Sequence, residues 1–111
     1  MKYMLDMSGY EFEVVKTAAP KLDGNGAQKI DPVSKNPVWV VEVNAFQGED
    51  AGVHQMDVTL ASATKPDLRW RQPVELSSVE MIPWANNGRS GVAFRVGEIR
   101  PVDVARLQSV A

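Results

Sequence analysis

Val38-Trp39-Val40-Val41-Glu42-Val43-Asn44-Ala45-Phe46 is the stretch that decides the fold class. Trp39, Val41, Val43 and Ala45 share one parity while Glu42 and Asn44 hold the other, so an extended strand here has one apolar face and one that carries the polar groups. Val38 and Val40 make the second face partly apolar. Working outward, the same period of two recurs. Phe12 and Val14 alternate with Glu11 and Glu13, which predicts a strand over residues 10–17. Residues 48–52 read as a turn, after which Met56, Val58 and Leu60 alternate with Gln55, Asp57 and Thr59.

Two further segments complete the pattern. Over residues 74–82 the inward parity passes from Val74 and Leu76 to Val79 and Met81, and one extra residue at Ser77-Ser78 restores the core face, which predicts a β-bulge. Over residues 91–99, Val92, Phe94 and Val96 alternate with Ala93, Arg95, Gly97 and Ile99, and Pro101 ends the strand. Residues 83–90 read as a connection centred on Asn87-Gly88, a pair that tolerates the positive φ of a tight turn. Pro20, Gly24, Gly26, Pro32 and Pro37 interrupt the first long connection, where residues 28–30 and the approach to Val38 predict a small hairpin turning at residues 32–36. Pro66 and Pro73 make residues 61–73 a loop. Residues 1–10 read as an irregular lead or short edge segment, and residues 102–111 as a tail or short helix.

Five short strands in 111 residues predict a mainly β protein: a single five-stranded OB-like barrel over residues 1–101 with little helix. Closing the sheet removes its edges and lets so small a chain bury one common core. The absence of Cys excludes disulfides and thiol chemistry. Asp6 and Ser8 stand where a secretory signal needs its apolar segment, and no window approaches a membrane span, so a cytoplasmic protein is expected. A lone His54 and the unpatterned pairs Glu49/Asp50 and Asp57/Asp67 predict no metal site, no cofactor and no catalysis.

The net charge of −2 is unevenly spread. Residues 1–64 hold 5 basic and 9 acidic side chains, residues 65–111 hold 7 and 5, so a basic face belongs on the later strands. Single-stranded nucleic acid needs flat aromatic surfaces for its bases and cations for its phosphates, and two clusters supply both. In the first, Trp84 can stack, Arg89 and Arg95 can meet phosphate, and Asn86 and Asn87 can bond to base edges or sugar. The structural alternative has Trp84 covering the barrel end and Asn87-Gly88 making only a turn. In the second, Trp70 stands among Lys65, Arg69 and Arg71, either as a stacking surface or as a plug for the barrel bottom. Lys29 and Lys35 can extend a nucleic-acid path. Trp39 is expected in the core with an internal acceptor for its indole N–H.

Several stretches taken together carry a resemblance: Leu5-Asp6-Met7-Ser8-Gly9, Gly26-Ala27-Gln28-Lys29-Ile30-Asp31, Pro37-Val38-Trp39-Val40-Val41, and Pro83-Trp84 followed by Gly88-Arg89-Ser90-Gly91-Val92-Ala93-Phe94-Arg95. From Lys2 to Pro101 the chain resembles small replication-activator or regulatory proteins of actinobacterial conjugative plasmids and integrative elements. The resemblance implies a role in replication, maintenance or transfer of a mobile element through DNA. The commoner form of that family has a Gly near the turn of residues 31–36, and Asn36 is expected to take its backbone role here. Two functions follow as expectations: a single-stranded DNA-binding accessory protein, or an adaptor that binds replication or transfer proteins and homo-oligomerises, recognised by an apolar patch with a polar rim.

Overall fold

The computed structural model describes residues 2–48 and 52–102. Among them the regular structure is entirely β, in eight segments: β1 (Tyr3–Met4), β2 (Glu11–Pro20), β3 (Val38–Phe46), β4 (Val53–Ala61), β5 (Pro73–Ser77), β6 (Glu80–Asn86), β7 (Arg89–Arg95) and β8 (Glu98–Pro101). β2, β3 and β4 form an antiparallel meander. β4 also takes β7 alongside it in parallel, and β2 takes β5 antiparallel.

The sheet order β1-β6-β7-β4-β3-β2-β5-β8 hides a closure. β5 and β6 are successive halves of one path, as are β7 and β8, and together they form one long hairpin: β5 pairs β8 and β6 pairs β7. One half of that hairpin attaches to β2 and the other to β4, so the sheet curls back on itself. This is the OB-like barrel expected from the alternation, with two of its five strands each broken in two and a short edge strand, β1, added on β6.

The break corrects the predicted bulge. Ser78 adopts a left-handed φ of 54°, and on the facing strand Gly97 donates its N–H to the Ser77 carbonyl at 2.8 Å. A Cβ on Gly97 would lie 3.2 Å from the Ser78 Cβ, so the glycine lets the two kinked strands approach. The kink is needed because the two halves serve different neighbours, and the parity change in the sequence marks that handover.

The core is where the alternation places it. Val14, Val41, Val43 and Val58 are fully buried, surrounded by Phe12, Ala45, Met56, Leu60, Val74, Val79 and Val96. Trp39 packs against this cluster and its Nε1–H donates to the Ser62 carbonyl at 3.1 Å. In the connector it is Leu68 that is buried, at 7% exposure, while Trp70 is 70% exposed; Trp70 therefore does not plug the barrel.

The first long connection folds back on the sheet. Lys29 donates its N–H to the Lys21 carbonyl at 2.7 Å and accepts from Val38 N–H at 2.8 Å, and Ile30 bridges Pro37, which is the predicted small hairpin. Its tight turn uses Lys35 at φ 65°, so Lys35, and not Asn36, takes the left-handed position. The expected turn at residues 48–52 and the C-terminal tail fall largely outside the described residues; Gly48 and Gly52, which flank the former, both have positive φ.

Candidate nucleic-acid interface

The β6–β7 hairpin runs further than the sequence pattern suggests. Register pairs extend from Glu80–Arg95 to Asn86–Arg89, leaving only Asn87 and Gly88 in the turn, at φ 52° and 78°. Positive φ at both central residues is the geometry that matches strand twist in a two-residue hairpin. Pro83 is tolerated within β6 because β1 pairs only with Glu80 and Met81, so the strand has an open edge beyond them.

Alternation sorts the side chains of this hairpin. Met81 and Phe94 share the face that packs inward, whereas Ile82, Trp84, Asn86, Arg89, Gly91, Ala93 and Arg95 share the other. Trp84 and Gly91 are register partners, and the indole lies across the glycine: a Cβ there would fall 2.7 Å from Cζ2, 2.9 Å from Cε2 and 3.1 Å from Nε1. Gly91 thus provides a flat seat for the ring, an arrangement in which a cross-strand aromatic covers the backbone that a glycine leaves bare. Trp84 remains 47% exposed.

At the root of the hairpin, Ile82, Ala93 and Arg95 form one wall of a cleft of about 300 Å³. The facing wall is the first connection, with Lys21, Lys29, Ile30, Asp31 and Pro32, and the floor is Val38, Thr59, Leu60 and Ala61. Arg95 is committed. Its Nη2 lies 2.9 Å from Asp31 Oδ1, and Asp31 is 5% exposed. Ser34 donates both its N–H and its hydroxyl to Asp31 Oδ2 at 2.8 Å. These two bonds from Ser34 hold the Asp31 carboxyl below its ordinary range, with the Arg95 charge adding to them against the opposing effect of desolvation. The Asp31–Arg95 pair pins the two cleft walls together. It cancels one positive charge against one negative, which leaves Lys21 and Lys29, without an ion pair among the described residues, as the other charges lining the cleft, with the Glu80 carboxylate beside Arg95 at its edge. Glu80, across from Arg95, has a buried carboxylate oxygen without a hydrogen-bond partner among the described residues.

Of the first predicted cluster, the structure brings Trp84, Asn86, Arg89 and Arg95 onto one face, with Arg95 serving as a strut and Asn87 as a turn residue. Of these only Arg95 lines the cleft, where Lys29 joins it, while Lys35 lies outside it and lends its backbone to the loop turn. The second cluster lies elsewhere. Arg71 sits over the Trp70 ring at 5.8 Å and pairs with Glu13 at 3.0 Å, beside Asn44 and Phe46. Those residues mark the far end of β3 from Val38, about 26 Å away at strand rise. Arg69 and Lys65 are exposed in the same connector. His54 is exposed on β4, and the described residues contain no group of carboxylates and histidine able to hold a metal.

A second cleft, of about 400 Å³, runs between β2 and β5 and is lined by Met7, Tyr10, Phe12, Val74 and Leu76. Glu11, Glu13 and Glu75 border it, and its Arg100 pairs with Glu75 at 3.4 Å, so its rim repels phosphate.

Sequence comparison with family models and with curated proteins gives no match. Structural comparison does. A small single-stranded DNA-binding protein from Streptomyces coelicolor superimposes with a TM-score of 0.50 at 14% identity, over 95% of this chain and 97% of that one. The likeness is one of fold, and it spans the whole barrel. No helix among the described residues is long and apolar enough to cross a membrane.

Proposed function

We propose that this protein binds single-stranded DNA in the cleft between its first long connection and the β6–β7 hairpin, as an accessory factor in replication, maintenance or transfer of a mobile element. The observation that carries the proposal is the half-exposed Trp84 indole seated on Gly91, on the same strand face as an apolar-floored cleft whose uncompensated charges are Lys21 and Lys29. A base can stack on the indole while the lysines, together with Arg89 at the hairpin tip, meet the phosphates. An OB barrel uses this same region, the outer face of its second and third strands and the loops beside it, to take oligonucleotides. The similarity in fold to a small single-stranded DNA-binding protein supports the choice of ligand. The mobile-element context rests on the sequence resemblance.

The test is fluorescence anisotropy of labelled single- and double-stranded oligonucleotides across a salt series. The proposal expects saturable binding to the single strand that weakens as salt rises, and loses roughly 5- to 150-fold on Trp84→Ala. No saturable binding at low salt overturns it. The adaptor reading draws on the apolar cleft between β2 and β5, and predicts that oligonucleotides fail to bind while Leu76→Glu abolishes capture of a replication or transfer protein.

A further inference from the structure

Arg95 stands between two hollows. On one side is the cleft already described; on the other is a second, of about 420 Å³, lined by Lys2, Val33, Ser34, Ser78, Glu80 and the buried Val96. Asp31, Ala61 and Arg95 belong to both. The Asp31–Arg95 strut is thus a bar with a compartment on either side, and the compartments differ in charge. The cleft holds Lys21 and Lys29 in excess. The second hollow is balanced, with Lys2 and Arg95 against Asp31 and Glu80, so it has no net pull on a phosphate.

Three features of that hollow suit a nucleobase. Its size falls at the low end of small-molecule pockets, roughly 300–1,000 Å³. It is edged by Val33, an apolar side chain 89% exposed, which a flat ring can cover. Glu80 has its Oε2 buried with no hydrogen-bond partner among the described residues, and a buried acceptor left unpaired is costly. The terminal torsion of a glutamate is broad, so the carboxyl group can turn that oxygen to a donor seated in the hollow. The amino group of cytosine is such a donor, whereas thymine carries a carbonyl oxygen at the same place, which a carboxylate repels. Arg95, set across from Glu80 by register, spends Nη2 on Asp31 and keeps the other donors of its fork for the ring nitrogen and carbonyl of the same base. Glu80 also stands in file with Ile82 and Trp84 on one face of β6, about 13 Å from Trp84 along the strand. A single strand laid along this file stacks one base on Trp84 and offers another, further along, to the hollow.

We infer that the hollow beside Glu80 is a base-reading pocket that prefers cytosine to thymine, with the Glu80 carboxylate accepting a hydrogen bond from the cytosine amino group. The inference rests on the proposed binding at the cleft and adds a base preference to it. A charge-assisted hydrogen bond in place of a repulsive contact corresponds to about tenfold in affinity.

The experiment titrates the full chain into labelled oligodeoxycytidylate and oligothymidylate of about six nucleotides, at neutral pH and one salt concentration, read by anisotropy. The wild type is expected to bind the cytosine strand about tenfold more tightly. A strand built on pyrimidin-2-one, the cytosine ring without its amino group, should lose that advantage. Glu80→Met, which keeps the reach of the side chain and removes the acceptor, should bring the two affinities within about twofold of each other, while Trp84→Ala weakens both strands and leaves their ratio in place. Equal wild-type affinity for cytosine and thymine strands, full affinity for the pyrimidin-2-one strand, or an unchanged ratio in Glu80→Met each overturns the pocket while leaving the cleft as the binding site. The pyrimidin-2-one comparison alters only the ligand, so it decides the matter even where the Glu80 variant fails to fold. Absence of binding to either natural strand overturns the cleft reading itself, and the pocket with it.

Discussion

Replacing Gly91 by Val tests the seat of Trp84 without touching Trp84. The indole carbon Cζ2 lies 2.7 Å from where the new Cβ would stand, and Cε2 lies 2.9 Å from it. Carbon atoms rest in contact at about 3.5–4.0 Å, so the ring must move by about 1 Å for an Ala and further for the branched Val. A ring has no flexible end with which to evade this. It must rotate about its side-chain torsions and lift from the strand, at about 0.5–1.5 kcal/mol for a torsion forced roughly 30° from its well. The hairpin here is exposed and Val suits a strand better than Gly, so the melting temperature should change little. Binding should fall nearly as far as in Trp84→Ala, because stacking contributes about 1–3 kcal/mol per base and depends on the presented face. Anisotropy with a short oligothymidylate reads the loss, and a double-mutant cycle isolates its cause: Trp84→Ala/Gly91→Val should bind no worse than Trp84→Ala alone. Wild-type affinity in Gly91→Val, or losses that simply add in the double variant, would refute the claim that the glycine acts through the indole.

Three further outcomes follow from the packing and charge. Leu68→Ala should cost about 2–5 kcal/mol in chemical denaturation, against no more than about 0.5 kcal/mol for Trp70→Ala, since only Leu68 is buried in the connector. The lowered Asp31 carboxyl gives stability that is fully present above its ordinary value of 3.8 and is lost as pH falls through the lower folded value; melting curves from pH 5 to 2 should show this acid-side loss, and Asp31→Asn should flatten it. Ser78→Gly should raise stability by up to about 1 kcal/mol by relieving the left-handed backbone at the kink, whereas Ser78→Val should lower it, both read from denaturant midpoints.

The barrel was legible wherever a strand has one buried face. Val38–Phe46 and Val53–Ala61 show their period of two undisturbed because the meander buries one side throughout. Ser77-Ser78 announced itself as a change of parity, yet its nature depends on Gly97 and on the separate attachments to β2 and β4, which no local pattern contains. The connector illustrates the opposite case: without periodicity, Trp70 was the plug that the sequence put forward and Leu68 went unnoticed, and only the exit from β4 and the entry to β5 decide which turns inward. In the site, Trp84, Asn86 and Arg89 could be grouped by their nearness to the Asn87-Gly88 turn, whereas the strand parity that puts them on one side of a hairpin was hidden because residues 83–90 read as a connection. The Asp31–Arg95 strut joins residues 64 positions apart, and Lys21 reaches the cleft only because its loop folds back onto Val38, so neither leaves a trace in spacing.

The most direct test of the central claim is the set of three tryptophan indole N–H signals in a proton–nitrogen NMR spectrum during titration with an unlabelled four-nucleotide single strand. Trp84 should shift strongly and saturably, together with backbone amides of residues 21–32 and 80–95, while Trp39, bonded to Ser62 in the interior, and Trp70, held beside Arg71 and its partner Glu13, stay in place. A stationary Trp84 signal with shifts gathered along β2 and β5, or no shifts at all at low salt, would contradict it.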